Sequence, residues 1–180
     1  IFQNMHAKPV GVLFFTHLKR IKMADQENAP TEQGMPVMIH AQYIKDMSFE
    51  NPLAPESLRA GQNKPEMEID ISMESNPIKD DNIKSLYEVV LKLSATAKRG
   101  GEVAFIAELA YGVTVSLGDL PEDQHHPFLL IEVPRQAFPF ARQIMGNITQ
   151  QGGYAPLLLN PVDFQAMYLQ RFGKKQDDAA

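Results

Sequence analysis

Residues 66–74 alternate without a fault: Met67, Ile69, Ile71 and Met73 stand between Glu66, Glu68, Asp70, Ser72 and Glu74. A period of two sends successive side chains to opposite faces, so this stretch predicts a strand with one dry face and one wet face. Such a strand needs partners, and the chain supplies them. Tyr87, Val89, Leu91, Leu93 and Ala95 alternate with Glu88, Val90, Lys92 and Ser94. Val103, Phe105, Ala107, Leu109, Tyr111 and Val113 alternate with Glu102, Ala104, Ile106, Glu108 and Ala110. Between these runs, Lys98-Arg99-Gly100-Gly101 reads as a hairpin turn, because paired glycines tolerate the positive φ angles it needs. A further strand is predicted over 37–49, with Val37, Ile39, Ala41 and Tyr43 against Met38, His40, Gln42 and Ile44. Pro52 and Pro55 end it, 51–65 reads as a loop containing Gly61 and Pro65, and 76–84 as a second loop.

After the strands the period changes. Residues 124–133 predict a short apolar helix that Pro134 ends. A helical stripe follows over 138–151, with Phe140, Ala141, Ile144, Met145 and Ile148 on one side and Gly152 as its stop. For the last helix, Asn160 is the expected cap, Pro161 suits the first turn and Asp163 favours the N-terminus. Phe164, Met167, Tyr168 and Phe172 give it an apolar face, and Gly173 stops it. The expected fold class is α+β: a four-stranded antiparallel sheet with helices packed on one face and water on the other.

The wet face is expected to carry Asp46, Glu50, Glu66, Glu68, Asp70, Glu74, Glu88, Glu102 and Glu108, with Lys92 alone opposing them. The whole chain has a formal net charge of −5. That balance argues against nucleic acid as a partner and favours a basic one. Charges on a solvated face also simply keep it in solution, and both readings stand. Ile106 shares the parity of Glu102 and Glu108. It is therefore expected as an exposed apolar residue rimmed by acids, as interaction sites often are.

The chain ends are read separately. Residues 1–22 hold Lys8, Lys19, Arg20 and Lys22 with no acid, and Met23-Ala24-Asp25 looks like a start. Residues 1–22 are accordingly expected to be a non-native upstream segment. Residues 23–35 are expected to be a disordered arm, 36–172 a single domain and 173–180 a disordered tail. No apolar run approaches the roughly 20 residues that span a bilayer, so direct membrane insertion is not expected.

Little in the chain suggests bond chemistry. There is no cysteine, which removes thiol nucleophiles, thiolate metal sites and disulfides. Glu122, Asp123, His125 and His126 are the one cluster of metal-ligand types, but adjacent histidines on a helix diverge by about 100°. Gly173-Lys174-Lys175 lacks the rest of a phosphate loop, and Gly-x-Ser-x-Gly is absent. No catalytic residue, metal or cofactor is expected.

Two apolar groups remain. Phe49, Leu53 and Leu58 follow the first strand without a period, and either form a satellite core under the loop or line a groove. Met67, Ile69 and Ile71 raise the same choice, with two of the three assigned to the core. Phe138, Phe140, Ile144, Met145 and Ile148 are more apolar surface than one small sheet covers, which points to an interface between copies.

Four segments carry a resemblance to a known family. Tyr43-Ile44-Lys45-Asp46-Met47-Ser48-Phe49-Glu50-Asn51-Pro52-Leu53-Ala54-Pro55 is long and unusual, and is similar to the first motif of SecB, the bacterial protein-export chaperones. Tyr87-Glu88-Val89-Val90-Leu91, Phe138-Pro139-Phe140-Ala141-Arg142 and Leu158-Leu159-Asn160-Pro161-Val162-Asp163-Phe164 resemble three others. The matches span roughly 36–172. The resemblance implies a cytoplasmic, ATP-independent holdase for unfolded precursor proteins, built as a homotetramer (a dimer of dimers) that delivers its clients to the SecA export ATPase. It implies SecA contacts at Asp46, Glu50, Ile106 and Glu108, and an unfolded-peptide groove that includes Phe49, Leu53, Leu58 and Met67. Some relatives carry tryptophan before the second strand, where this chain reads Gln62-Asn63-Lys64 and has no tryptophan at all. Two rival readings are an acidic adaptor that binds one folded partner, and a small hydrolase using the His125–His126 region.

Overall fold

The computed structural model describes residues 37–59 and 63–173; the upstream segment, the arm and the tail beyond Gly173 lie outside the described residues. Four strands form the sheet: β1 (Met38–Glu50), β2 (Glu66–Pro77), β3 (Leu86–Arg99) and β4 (Glu102–Ser116). All neighbours are antiparallel, in the order β1-β4-β3-β2. β2 continues to Pro77, past the predicted end at 74, because Ser75 and Asn76 still pair with Val89 and Glu88. In the β3–β4 turn Gly100 and Gly101 take φ of 60° and 87°, the left-handed region that glycine enters at little cost.

The dry face is built from the expected parity. Val89, Leu91, Leu93, Ala95 and Ala97 of β3 are buried, as are Phe105, Ala107, Leu109, Tyr111, Val113 and Val115 of β4. β1 departs from simple alternation. Its register skips a residue between Ile39 and Ala41 and again between Ile44 and Asp46. Each bulge shifts the side-chain phase by one. Two shifts cancel, so Asp46 and Glu50 still face water and Phe49 still faces the helices. Between the bulges the phase is reversed. Tyr43, expected beside Ile39, instead lies opposite Gly112 on the wet face. A β-carbon on Gly112 would come within 2.5 Å of the Tyr43 ring, so the ring occupies the space the glycine leaves.

Tyr43 Oη donates to Glu88 Oε1 at 2.6 Å, and Lys45 Nζ donates to Glu88 Oε2 at 2.6 Å. The Lys45 bond holds the Glu88 carboxyl below its usual range; the Tyr43 bond adds to this, and burial opposes it. Tyr43 is pushed up to about 12, chiefly by the same hydrogen bond. A depressed carboxyl stabilises the fold above its ordinary pKa and loses that contribution as pH falls through the folded value. Glu88→Gln is therefore expected to make the acid limb of the stability–pH curve shallower, read by urea denaturation between pH 3 and 7.

The helical region differs from the expected two separate helices. α1 (Glu122–Pro127), a π-helical turn (Phe128–Glu132) and α2 (Val133–Gln151) follow one another without a break. Pro134 does not end a helix; it sits in the first turn of α2. Proline lacks an amide donor and its ring crowds the carbonyl four residues back. Just before it the Val133 N–H reaches five residues back to Phe128 O, and this wider turn lets the helix continue. Burial of Leu129, Leu130 and Val133 holds the turn in place. α3 (Phe164–Phe172) is capped by Asp163, whose Oδ1 accepts from Ala166 N–H at 2.9 Å; the expected cap at Asn160 lies outside the helix.

The apolar surplus on α2 is largely consumed within the chain. Phe138 and Met145 are buried, Phe138 stands edge-on to buried Phe164 at 5.8 Å, and only Phe140 keeps 50% of its surface. Among the described residues no helix is long and apolar enough to cross a membrane.

Candidate functional site

An apolar cavity forms where α2 ends. Gly152 closes the helix with its N–H on Ile148 O at 2.9 Å, and Gly153 then takes φ of 90°. That left-handed step turns the chain back along α2. Thr149, fully buried, pins the returning segment. Its hydroxyl lies 3.1 Å from Met145 O and 3.0 Å from Gly146 O, and its oxygen accepts from Leu157 N–H at 2.9 Å. Residues 154–160 thereby become one wall of a cavity of about 630 Å³. The other walls are Met67 and Ile69 of β2 and Phe105 of β4, with Lys64 and Arg99 at the rim.

The wall is held by aromatic packing and one hydroxyl. Tyr154 lies 4.6 Å from Phe105, centroid to centroid, and Phe105 stacks on Phe49 at 5.6 Å. Tyr154 Oη is within hydrogen-bond reach of Ser57 Oγ at 2.8 Å, Asn51 Oδ1 at 2.9 Å and Ala104 O at 3.1 Å. Ser57 is itself buried. The hydroxyl thus ties the loop after β1 to the start of β4. Tyr154→Phe is expected to cost about 1–3 kcal/mol, the penalty for leaving a buried polar partner unsatisfied, in chemical denaturation.

Of the residues expected in a groove, Met67 lines this cavity. Phe49 stands behind it, half-buried, between Phe105 and Gly152; its ring fills the space a Gly152 side chain would need. Leu53 is half-buried in the loop, and Leu58 is 42% exposed beside Gly153. Neither lines the cavity. Of Met67, Ile69 and Ile71, Met67 and Ile71 pack against the core, the expected two of three, and Met67 together with Ile69 also lines the cavity. Phe105 and the run Tyr154-Ala155-Pro156-Leu157-Leu158-Leu159 were not anticipated. Phe105 has the parity of a core residue. The second run is an apolar, non-periodic stretch directly after two glycines, a signal that the sequence does carry.

The opposite face of the sheet brings together Asp46, Glu50, Ile106 and Glu108. Glu50 lies opposite Ile106, Ser48 opposite Glu108 and Asp46 opposite Ala110. Asp46, Glu50 and Glu108 are exposed, while Ile106 is half-buried rather than exposed. Lys92 is not the sole opposing cation: Lys92 pairs with Glu74 at 3.0 Å, Lys98 with Glu68 at 2.7 Å and Lys45 with Glu88 at 2.6 Å. Lys45 enters through the bulge, and Lys98 follows the parity of Lys92. Asp46, Glu50 and Glu108 make no ion pair among the described residues. The uncompensated acids of β1 and β4 therefore gather around Ile106.

The two histidines diverge. His125 Nε2 donates to Leu120 O at 2.7 Å, and Nδ1 faces Tyr87 Oη at 3.4 Å. His126 Nδ1 meets Tyr168 Oη at 2.8 Å, and its ring stands edge-on to Phe172 at 4.8 Å. One histidine anchors α1 to the sheet and the other anchors it to α3. No group of three metal-ligating side chains occurs among the described residues.

Residues 30–175 match the family described as preprotein translocase subunit SecB. The chain is 44% identical to the protein-export protein SecB of Bartonella quintana over 147 residues, covering 81% of this chain and 90% of that one. It is 45% identical to the namesake in Agrobacterium fabrum over 141 residues, covering 78% and 86%. Among solved structures, the Mycobacterium tuberculosis SecB-like chaperone, in complex with a ChAD peptide from the HigA1 antitoxin, superposes with a TM-score of 0.54. That match is 14% identical, covers 70% of this chain and 90% of the other, and speaks for the shared fold. The chain belongs to the SecB family of preprotein translocase subunits.

Proposed function

We propose that the protein is an ATP-independent export chaperone that holds unfolded precursor proteins in the cavity beside residues 154–160 and passes them to SecA in the cytoplasm. The observation that carries this reading is an apolar cavity of about 630 Å³ walled by Met67, Ile69, Phe105 and residues 154–160. Burial of client side chains there gains about 25 cal/mol per Å² of apolar area. No bond is made or broken, so release depends on a competing partner. The acids around Ile106 suit a basic partner, and SecA is the partner we assign to Asp46, Glu50, Ile106 and Glu108. Met38, Ile44 and Met47 of the outer strand β1 stay 46–59% exposed, which supports pairing with a second copy and a dimer-of-dimers homotetramer. Several grooves on one assembly then act on one long client with avidity.

The test is binding of one precursor, unfolded and folded, without nucleotide. The holdase reading expects capture of the unfolded form alone. Equal binding of both forms would favour the adaptor.

A further inference from the structure

The chain has nine methionines and no cysteine, so thioethers are the only sulfur a peroxide can meet. A methionine that takes up one oxygen atom becomes a sulfoxide, and an apolar side chain turns polar. Among the described residues, Met73 of β2 and Met145 of α2 are buried in the core, out of an oxidant's reach. Met38 and Met47 of β1 are exposed and Met167 of α3 is half-buried, but none of these three lines the cavity. Met67 is half-buried and forms part of the cavity wall. It stands near the start of β2, the outer strand of the sheet, opposite the short side chain of Ala97 on β3. No further strand covers it on the other side.

Resting on the holdase reading above, we infer that Met67 is an oxidation site through which hydrogen peroxide turns down client capture and sulfoxide reduction restores it. The thioether sulfur attacks one peroxide oxygen; an S–O bond forms, the O–O bond breaks and water leaves. Sulfur gives up two electrons and the peroxide takes them. A dithiol reductant reverses the step: two thiols become a disulfide and the oxygen leaves as water. The effect on binding follows from where the new oxygen sits. In the client-free chain Met67 is half-buried, so the sulfoxide oxygen keeps contact with water and the fold loses little. When a client side chain fills the cavity that water leaves, and the side chains of Ile69, Phe105, Leu157 and Leu159 offer the oxygen no donor. A polar group left unsatisfied is costly only once it is buried. The penalty therefore falls on the bound state.

The test treats the full chain with hydrogen peroxide, removes the excess with catalase and maps sulfoxides by peptide mass spectrometry. Affinity for a labelled, methionine-free peptide of leucines and phenylalanines in a serine frame is then read by fluorescence anisotropy. Met67 sulfoxide is expected to accumulate while Met73 and Met145 stay reduced. Affinity should fall about fivefold to fiftyfold in step with it, with the melting temperature nearly unchanged. Methionine sulfoxide reductases supplied with dithiothreitol should restore binding. In Met67→Leu the ratio of affinities before and after peroxide should be close to one, whatever the starting affinity. Met67→Gln, polar from the outset, should bind weakly and also ignore peroxide. A Met67 that stays reduced, an affinity indifferent to its oxidation, or an equal loss in Met67→Leu would overturn the inference and leave the holdase reading standing. No capture of the peptide by the untreated chain would remove that reading, and the inference with it.

Discussion

Replacing Ile69 and Leu158 together with asparagine is expected to weaken capture of an unfolded precursor by about tenfold to a hundredfold, the worth of one or two buried aliphatic side chains. Ile69 is 41% exposed on β2 and Leu158 is 76% exposed on the facing segment, so both present apolar area to a client rather than to the core. For the same reason the melting temperature should move by only a few degrees, since exposed substitutions disturb folding little. Titration calorimetry with a permanently unfolded precursor, beside a thermal melt, separates the two effects. An unchanged affinity would place the client elsewhere on the surface.

Reversing the charge of Asp46 and Glu50 together to lysine is expected to weaken SecA binding by about tenfold or more, because each substitution turns an attraction into a repulsion against a basic partner. The salt dependence should flatten or change sign in the variant. Both side chains are exposed, and neither makes an ion pair among the described residues, so no internal partner is orphaned by the change. Precursor capture should persist, since Met67, Ile69 and Phe105 line the cavity from the other side of the sheet. Biolayer interferometry against SecA and against precursor reads both in one series.

Where the sequence was legible, a short period was the reason. Met67, Ile69, Ile71 and Met73 declared β2, and the parity of β3 and β4 declared the dry face almost residue by residue. The acidic patch came from the same parity, and Asp46 and Glu50 kept their places because the two bulges in β1 cancel. Tyr43 did not, since a bulge leaves no mark in composition and is fixed by pairing with a partner strand. Pro134 misled for a different reason. A proline ends a helix only if the preceding turn cannot widen, and here the π turn from Phe128 to Glu132 absorbs the difference under cover of buried Leu129 and Leu130. The last helix was found, but Asn160 and Asp163 are both competent caps, and the helix begins at buried Phe164, directly after Asp163.

The cavity was the least legible feature. Its walls come from three distant stretches of chain, β2, the start of β4 and residues 154–160. Phe49 belongs to the motif with the strongest resemblance, yet it acts from behind, by stacking on Phe105. Local pattern reports which face of a strand a residue takes. It does not report that Gly153 turns the chain after α2, or that Thr149 then holds Leu157 in place.

Hydrogen exchange on the full chain, with and without an unfolded precursor, tests the account most directly. The predicted result is slowed exchange in residues 64–69 and 154–159 on client binding. Slowing confined to β1 and the start of β4 around Asp46 and Ile106, with 154–159 unchanged, would contradict it.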